Sequence, residues 1–275
     1  MELRRLESLL TAFRERAGRI AVLTGAGISA ESGIPTFRGP EGYWTVGSTE
    51  YRPEQMATVS MFGKDPWEVW SWYLYRRAVC ARAAPNPGHL ALARIESALG
   101  GRFRLITQNV DGLHLRAGNT PERTFQIHGN LHLMRCSRAC CDEVEPVPPG
   151  VCPKQKNEPV TEREKGMLRC SRCGGLARPH VLWFDEYYEE RLFQAESAFR
   201  WAQAADLLLV IGTSGATTLP MRIGELFMAK QDALFLDVNP HPNPFRAMAE
   251  SHPGGLASAG TACQLLPIIA DIIER

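Results

Sequence analysis

Four short, nearly continuous apolar runs constrain the fold more than any other feature: Ile20-Ala-Val-Leu-Thr24, Phe103-Arg-Leu-Ile-Thr107, Leu207-Leu-Leu-Val-Ile211 and Ala233-Leu-Phe-Leu-Asp-Val238. Each ends in small or polar residues, the pattern of parallel strands buried on both faces. Amphipathic stretches of helical length lie among them, over residues 89–99, 189–205, 219–229 and 262–273. This alternation predicts an open α/β sheet with helices on both faces, where ligands bind beyond the carboxyl ends of the strands. Thr24-Gly-Ala-Gly27, Thr107-Gln-Asn-Val-Asp111, Gly212-Thr-Ser214 and Asn239 all stand at such ends. Ahead of the first strand, Leu3, Leu6, Leu9, Leu10 and Phe13 recur at helical spacing. They predict a helix packed on the domain, and Glu2, Glu7 and Glu15 argue against a transit peptide.

Two stretches interrupt the alternation. Residues 35–87 are rich in Pro, Trp and Tyr and hold a helix over 66–82; residues 129–179 hold clustered cysteines and a Pro-rich run. The expected organisation is a Rossmann-like parallel-sheet domain from residues 1–34, 88–128 and 180–275. A helical insertion (35–87) and a zinc-binding insertion (129–179) form a smaller second domain. A chain of 275 residues is long enough for one large core plus such a satellite. The formal net charge of +1 gives no global field toward nucleic acid or anionic membrane. No apolar run reaches the ~20 residues of a membrane span. A cytoplasmic monomer is expected, with neither nucleic acid nor membrane as partner.

The first strand leads directly into Gly25-Ala26-Gly27-Ile-Ser-Ala-Glu-Ser-Gly33. Glycines there let the backbone approach a pyrophosphate, although a tight turn that binds nothing would look the same. A dinucleotide dehydrogenase would continue into a second strand with an acidic residue ~20 positions on. Here Ile34-Pro-Thr-Phe37-Arg38-Gly39 follows instead, so chemistry other than simple hydride transfer is indicated. Gln108, Asn109 and Asp111 form a polar cluster able to hold a ribose or a carboxamide, or else an Asx-type turn. His128, at the entry to the cysteine-bearing insertion, is the best general-base candidate.

Cysteines clustered this way, with no secretory signal, point to metal before disulfide. Cys136 and Cys141 flank a four-residue gap and Cys170-Ser-Arg-Cys173 a two-residue one, matching a structural zinc site made of four cysteines. Either Cys140 or Cys141 can serve as the second ligand. Cys141 is preferred because Asp-Glu-Val after it reads as a resuming strand.

Together these motifs resemble the sirtuin family. The run from Gly25 to Gly39 looks like that family's cofactor loop, and Thr107-Gln-Asn-Val-Asp111, His128-Gly129, the cysteine pairs, Arg178-Pro-His-Val181, Gly212-Thr-Ser214 and Asn239 follow in its order. The resemblance implies a zinc-stapled enzyme that consumes NAD to remove acyl groups from lysine side chains of proteins. The acyl oxygen would attack C1′ of the nicotinamide ribose, releasing nicotinamide. His128 would activate the ribose hydroxyl that attacks the resulting alkylimidate, giving O-acyl-ADP-ribose and free lysine. Gly25, Ala26, Gly27, Gln108, Asn109, Asp111, Gly212 and Thr213 would line the NAD site, with Phe37 and Arg38 capping the reacting centre. Ser214, Asn239 and Ala262 would line its adenosine end.

Tyr73-Leu-Tyr-Arg76 places a phenol and a guanidinium three apart on one helical face. The pair resembles the Tyr-x-x-Arg signature of the sirtuin branch that removes succinyl, malonyl and glutaryl groups, and Ala57 resembles its small acyl-pocket residue. The segment holding Val181, Trp183 and Phe184 would bind the substrate peptide by β-addition. Two features depart from the family pattern: Asp185 stands where Gly is usual, and the segment 212–220 is one residue longer before its proline. Two rival readings remain: ADP-ribosyl transfer from NAD to protein, and a non-enzymatic zinc-ribbon binding module.

Overall fold

The computed structural model describes residues 3–36 and 53–275. The four expected strands form the middle of a six-stranded parallel sheet. They are β1 (Ile20–Thr24), β2 (Phe103–Thr107), β7 (Leu207–Ile211) and β8 (Leu234–Val238). The sheet is completed by β3 (Thr124–Gln126) and β9 (Gly255–Ser258) at its edges, in the order β3-β2-β1-β7-β8-β9.

Successive residues of these strands feed opposite cores. Ile20 and Val22 join Leu207, Leu209 and Ile211 on one face, beneath the helices Leu3–Glu15, Pro87–Leu99 and Ala262–Glu274. Ala21 and Leu23 join Leu208 and Val210 on the other, against the helices Ala195–Ala204, Thr218–Met228 and Pro244–Ser251. Burial on both faces is why the strands read as runs rather than alternations. The sequence predicts one helix over 189–205. The structure has two, Glu190–Phe193 and Ala195–Ala204, because Gln194 takes a left-handed φ of 52° between them.

A second, antiparallel sheet is built from β4 (Gly129–Cys136), β5 (Val144–Pro146) and β6 (Ala177–Val181), in the order β5-β4-β6. It packs on the helix Pro66–Arg82 around a separate core that includes Met56, Phe62, Trp70, Tyr73, Leu131 and Trp183. Asn86 caps Pro87–Leu99 through the amides of Gly88 and His89, and its own amide nitrogen donates to Ile28 O at 2.7 Å, tying this helix to the glycine loop. β6 carries the chain across residue 180, where the sequence reading drew a domain boundary. No helix among the described residues is long and apolar enough to cross a membrane.

Candidate active site

The register of the parallel sheet sets Thr24 beside Thr107 on one side and Ile211 on the other. The loops beginning at Gly25, Gln108 and Gly212 therefore leave the sheet in a row, at the point where the strand order reverses. The glycines let these loops meet. Gly27 N–H donates to Gly212 O at 2.8 Å, and a Cβ on Gly27 would lie 2.7 Å from Gly212 Cα. Gly212 itself has φ +58, so a side chain there is strained as well as obstructed.

The amide and carboxyl side chains close the row. Asn109 Nδ2 donates to Gly25 O at 3.1 Å and Ser29 Oγ at 3.2 Å. Ser29 Oγ donates to Asp111 Oδ2 at 2.7 Å, and Leu113 N–H donates to Asp111 Oδ1 at 2.8 Å. Burial raises the Asp111 carboxyl above its ordinary range, and these two hydrogen bonds oppose the shift. Gln108 Nε2 donates to Thr213 Oγ1 at 2.9 Å, while Thr217 Oγ1 donates to Gln108 Oε1 at 2.9 Å. Thr217 belongs to the 212–220 segment that the sequence reading takes as one residue longer than the family pattern, and it supplies this contact to Gln108. From the end of β8, Asn239 Nδ2 donates to Thr213 O at 3.0 Å. Ser214 is exposed in the same loop. Ala262 is buried against Gly88, one residue before Cys263, whose N–H donates to Glu31 of the glycine loop. Phe37 and Arg38 lie outside the described residues.

His128 follows β3 and precedes β4, half-buried at this row of loops. Its Nδ1 lies 3.1 Å from Gln108 O, and its Nε2 lies 2.8 Å from Tyr188 Oη. A carbonyl only accepts, so Nδ1 carries the proton and Nε2 is the basic nitrogen. Burial lowers the imidazole to about 4, against the opposing effect of the Gln108 carbonyl. The ring is thus neutral at pH 7, the form a general base requires.

The proposed substrate-side residues form a connected group in the smaller core. Trp183 Nε1 donates to Tyr73 Oη at 2.9 Å, and burial pushes the Tyr73 phenol up to about 12 although the Arg76 charge opposes it. Arg76 is buried, its guanidinium 4.6 Å from the Trp72 ring centroid and 5.8 Å from that of Tyr73. Arg178 stacks 3.3 Å over the Trp183 ring and holds Glu186 through two hydrogen bonds of 2.6 and 2.8 Å. Regular pairing ends at Val181, opposite Gly129. The next three amides are used within the chain, by His128 O, Glu186 Oε2 and Ala57 O respectively, while the Phe184 side chain is exposed. A peptide pairing with this segment must use other groups. Asp185 accepts from Val59 N–H at 2.8 Å and Ser60 N–H at 3.2 Å, so the residue that departs from the family pattern caps the helix Val59–Lys64.

The thiols of Cys136, Cys140, Cys170 and Cys173 all lie within 4.8 Å of one another. Two edges of the group measure 3.7 Å (Cys136–Cys173) and 3.6 Å (Cys140–Cys170). A tetrahedron with Zn–S near 2.3 Å has edges of about 3.8 Å, so the donor set fits one structural zinc with every position filled. The structure corrects the second cysteine: Cys140 belongs to this group and Cys141, preferred from sequence, does not. Ala139, with φ 48 and its N–H on Cys136 O, turns the chain early enough that the thiol of residue 140 points inward.

Sequence reasoning also missed Ser29, Thr217, Glu186 and Tyr188. Ser29 lay inside the quoted glycine loop and Thr217 inside the flagged 212–220 segment; Glu186 and Tyr188 act through contacts that no spacing rule encodes.

Comparison with known proteins agrees with this geometry. The family model described as Sir2 family matches residues 25–218. A Leptospira interrogans protein named NAD-dependent protein deacylase is 36% identical over 273 residues, covering 98% of this chain and 99% of its own. The Danio rerio NAD-dependent protein deacylase sirtuin-5, mitochondrial, is 43% identical over 227 residues, covering 76% of this chain and 71% of its own. A solved Sir2 homolog–NAD complex superposes with a TM-score of 0.74 at 33% identity, covering 97% of this chain and 93% of that one.

Proposed function

The chain belongs to the Sir2 family, and from that premise we propose that it is an NAD-dependent protein-lysine deacylase that removes acetyl groups and also acyl groups ending in a carboxylate, such as succinyl and malonyl. It acts in this reading as a cytoplasmic monomer on acylated proteins and yields nicotinamide, O-acyl-ADP-ribose and free lysine. The observation that carries the proposal is the imidazole of His128 with its Nδ1 on the Gln108 carbonyl, among strand-end residues that are themselves tied to both glycine loops.

NAD, when bound, supplies the sugar carbon from which nicotinamide departs and the hydroxyls that receive the acyl group. The chain's part is to hold and to move a proton. Nε2 of His128 takes the proton of a ribose hydroxyl, and the Gln108 carbonyl, by holding Nδ1–H, fixes the tautomer that can do so. Asn109 and Asp111 orient the nicotinamide end, while Gln108, Thr213 and Asn239 line the nucleotide path. Cys136, Cys140, Cys170 and Cys173 would hold one zinc with all four positions filled, a structural staple at the end of β4. Ala57 leaves space for a longer acyl chain. Arg76 presents a planar fork to its terminal carboxylate, and Tyr73 adds a phenol beside it.

The test is mass spectrometry of matched acetyl-, malonyl- and succinyl-lysine peptides incubated with NAD. Arg76→Met should lower desuccinylation by about 10- to 100-fold, the usual value of a hydrogen bond to a charged group, and deacetylation far less. Equal losses on both substrates would remove Arg76 from acyl selection. A peptide that gained ADP-ribose mass instead would replace deacylation with ADP-ribosyl transfer.

A further inference from the structure

The basic nitrogen assigned to the ribose hydroxyl already has a partner in this chain. Tyr188 Oη lies 2.8 Å from His128 Nε2, and the two rings stack with centroids 5.8 Å apart at 29°. The bond has a definite polarity. With Nδ1–H given to Gln108 O, Nε2 has only a lone pair, so the phenol donates. Burial pushes the Tyr188 hydroxyl up to about 12 although its contact with the Thr217 side chain opposes the shift, so the phenol keeps the proton it donates. Both partners are anchored. The tyrosine ring packs on the large-domain core, and Gln108 is fixed by Thr213 and Thr217. The tyrosine also stands between two different environments: Tyr187 before it is 88% exposed, and the helix Glu190–Phe193 begins two residues later.

We propose that Tyr188 is a positioning residue for the general base: its hydroxyl holds Nε2 of His128 and hands it over to the cofactor's sugar hydroxyl when NAD binds. This rests on the base assignment made above. At Nε2 one O–H donor replaces another and no proton changes atom until chemistry begins, while the displaced phenol gives up its bond to the ring. While the site waits, the phenol and the Gln108 carbonyl grip the imidazole at both nitrogens. The ring therefore enters the complex in the tautomer and orientation the reaction uses. The cost is that NAD must displace an existing bond, so cofactor affinity is set lower than the pocket alone would give.

Tyr188→Phe keeps the ring and removes the donor, which separates the two effects. The Michaelis constant for NAD should fall by about 3- to 10-fold, the range spanned by one net hydrogen bond. In 15N-histidine NMR of the protein without NAD, the unprotonated Nε2 resonance should shift on removal of the phenol. The difference from wild type should vanish when both proteins are saturated with NAD. An identical Nε2 resonance in the two NAD-free proteins would overturn the proposal, since the bond would not exist in solution. A raised Michaelis constant for NAD would also overturn it, since the phenol would then be helping to hold the nucleotide rather than yielding to it. His128→Ala reads the underlying assignment separately: full turnover in that variant removes the base, whereas the Nε2 comparison reports on the tyrosine alone.

Discussion

Cys140 is the more exposed of two adjacent thiols, yet its sulfur is 3.6 Å from that of Cys170, while Cys141 sits 4.0 Å away at the rim. Proximity to the other thiols decides the ligand here, since a tetrahedral site needs four sulfurs that reach one point. Cys140→Ser should therefore lose zinc to a chelator with affinity reduced by more than about 100-fold, beyond the 10–100-fold typical of changes outside the ligand shell. Cys141→Ser should keep one zinc per chain under the same challenge. Metal analysis after chelation checks both, and the reverse ranking would return the site to Cys141. The ambiguity was visible in the sequence, because two neighbouring cysteines satisfy the same spacing rule. Its resolution was not, because it depends on the backbone at Ala139. His128 differs in kind: its candidacy followed from its place at the entry to the insertion, while its Tyr188 partner is 60 residues away and nothing in either local sequence points to the other.

Among the elements, the four five-residue apolar strands and the helix over 66–82 were legible because burial on both faces, or a proline just inside the helix start, leaves a strong local signal. β3 and β9 were not, being three- and four-residue edge strands with partly exposed residues. β6 was quoted for Arg178-Pro-His-Val181 as a motif without being read as a strand, since arginine, proline and histidine have no strand signature. Asp185 shows the same limit for a cap. Its carboxylate serves a helix that begins 126 residues earlier, at Val59. Asp185→Gly, which removes the acceptor and loosens the loop, should cost about 1 kcal/mol of unfolding free energy. Asp185→Asn retains one acceptor oxygen and should cost less than half of that. Thermal denaturation of the two variants checks the ordering; equal stability in all three proteins would mean the contact holds nothing.

Across the whole molecule, burial governs how stability depends on pH. His89, His128 and His180 are each lowered by burial to about 4, His114 lies well below its ordinary value for the same reason, and His132 is lowered too. As pH falls from 6.5 toward 4 the unfolded chain takes up protons at these positions before the folded chain does, so acidification favours unfolding. Asp237, raised by burial to about 6, and Asp111, raised by the same cause, act oppositely, since the folded chain is the one that binds the proton there. Five histidines against two aspartates leave a net excess of protons on the unfolded side. Each excess proton contributes a slope of about 1.4 kcal/mol per pH unit. The urea midpoint should therefore fall steeply as pH drops from 6.5 toward 4.5. Zinc content measured in parallel separates this titration from loss of the metal, whose thiolate ligands also take up protons in acid. His89→Gln, which replaces a fully buried imidazole in the helix Pro87–Leu99 by a group that does not titrate, should flatten the curve in that window even if it lowers stability at neutral pH. An unchanged slope in this variant, with zinc retained, would show that the buried imidazole is protonated in the native fold as readily as in the unfolded chain.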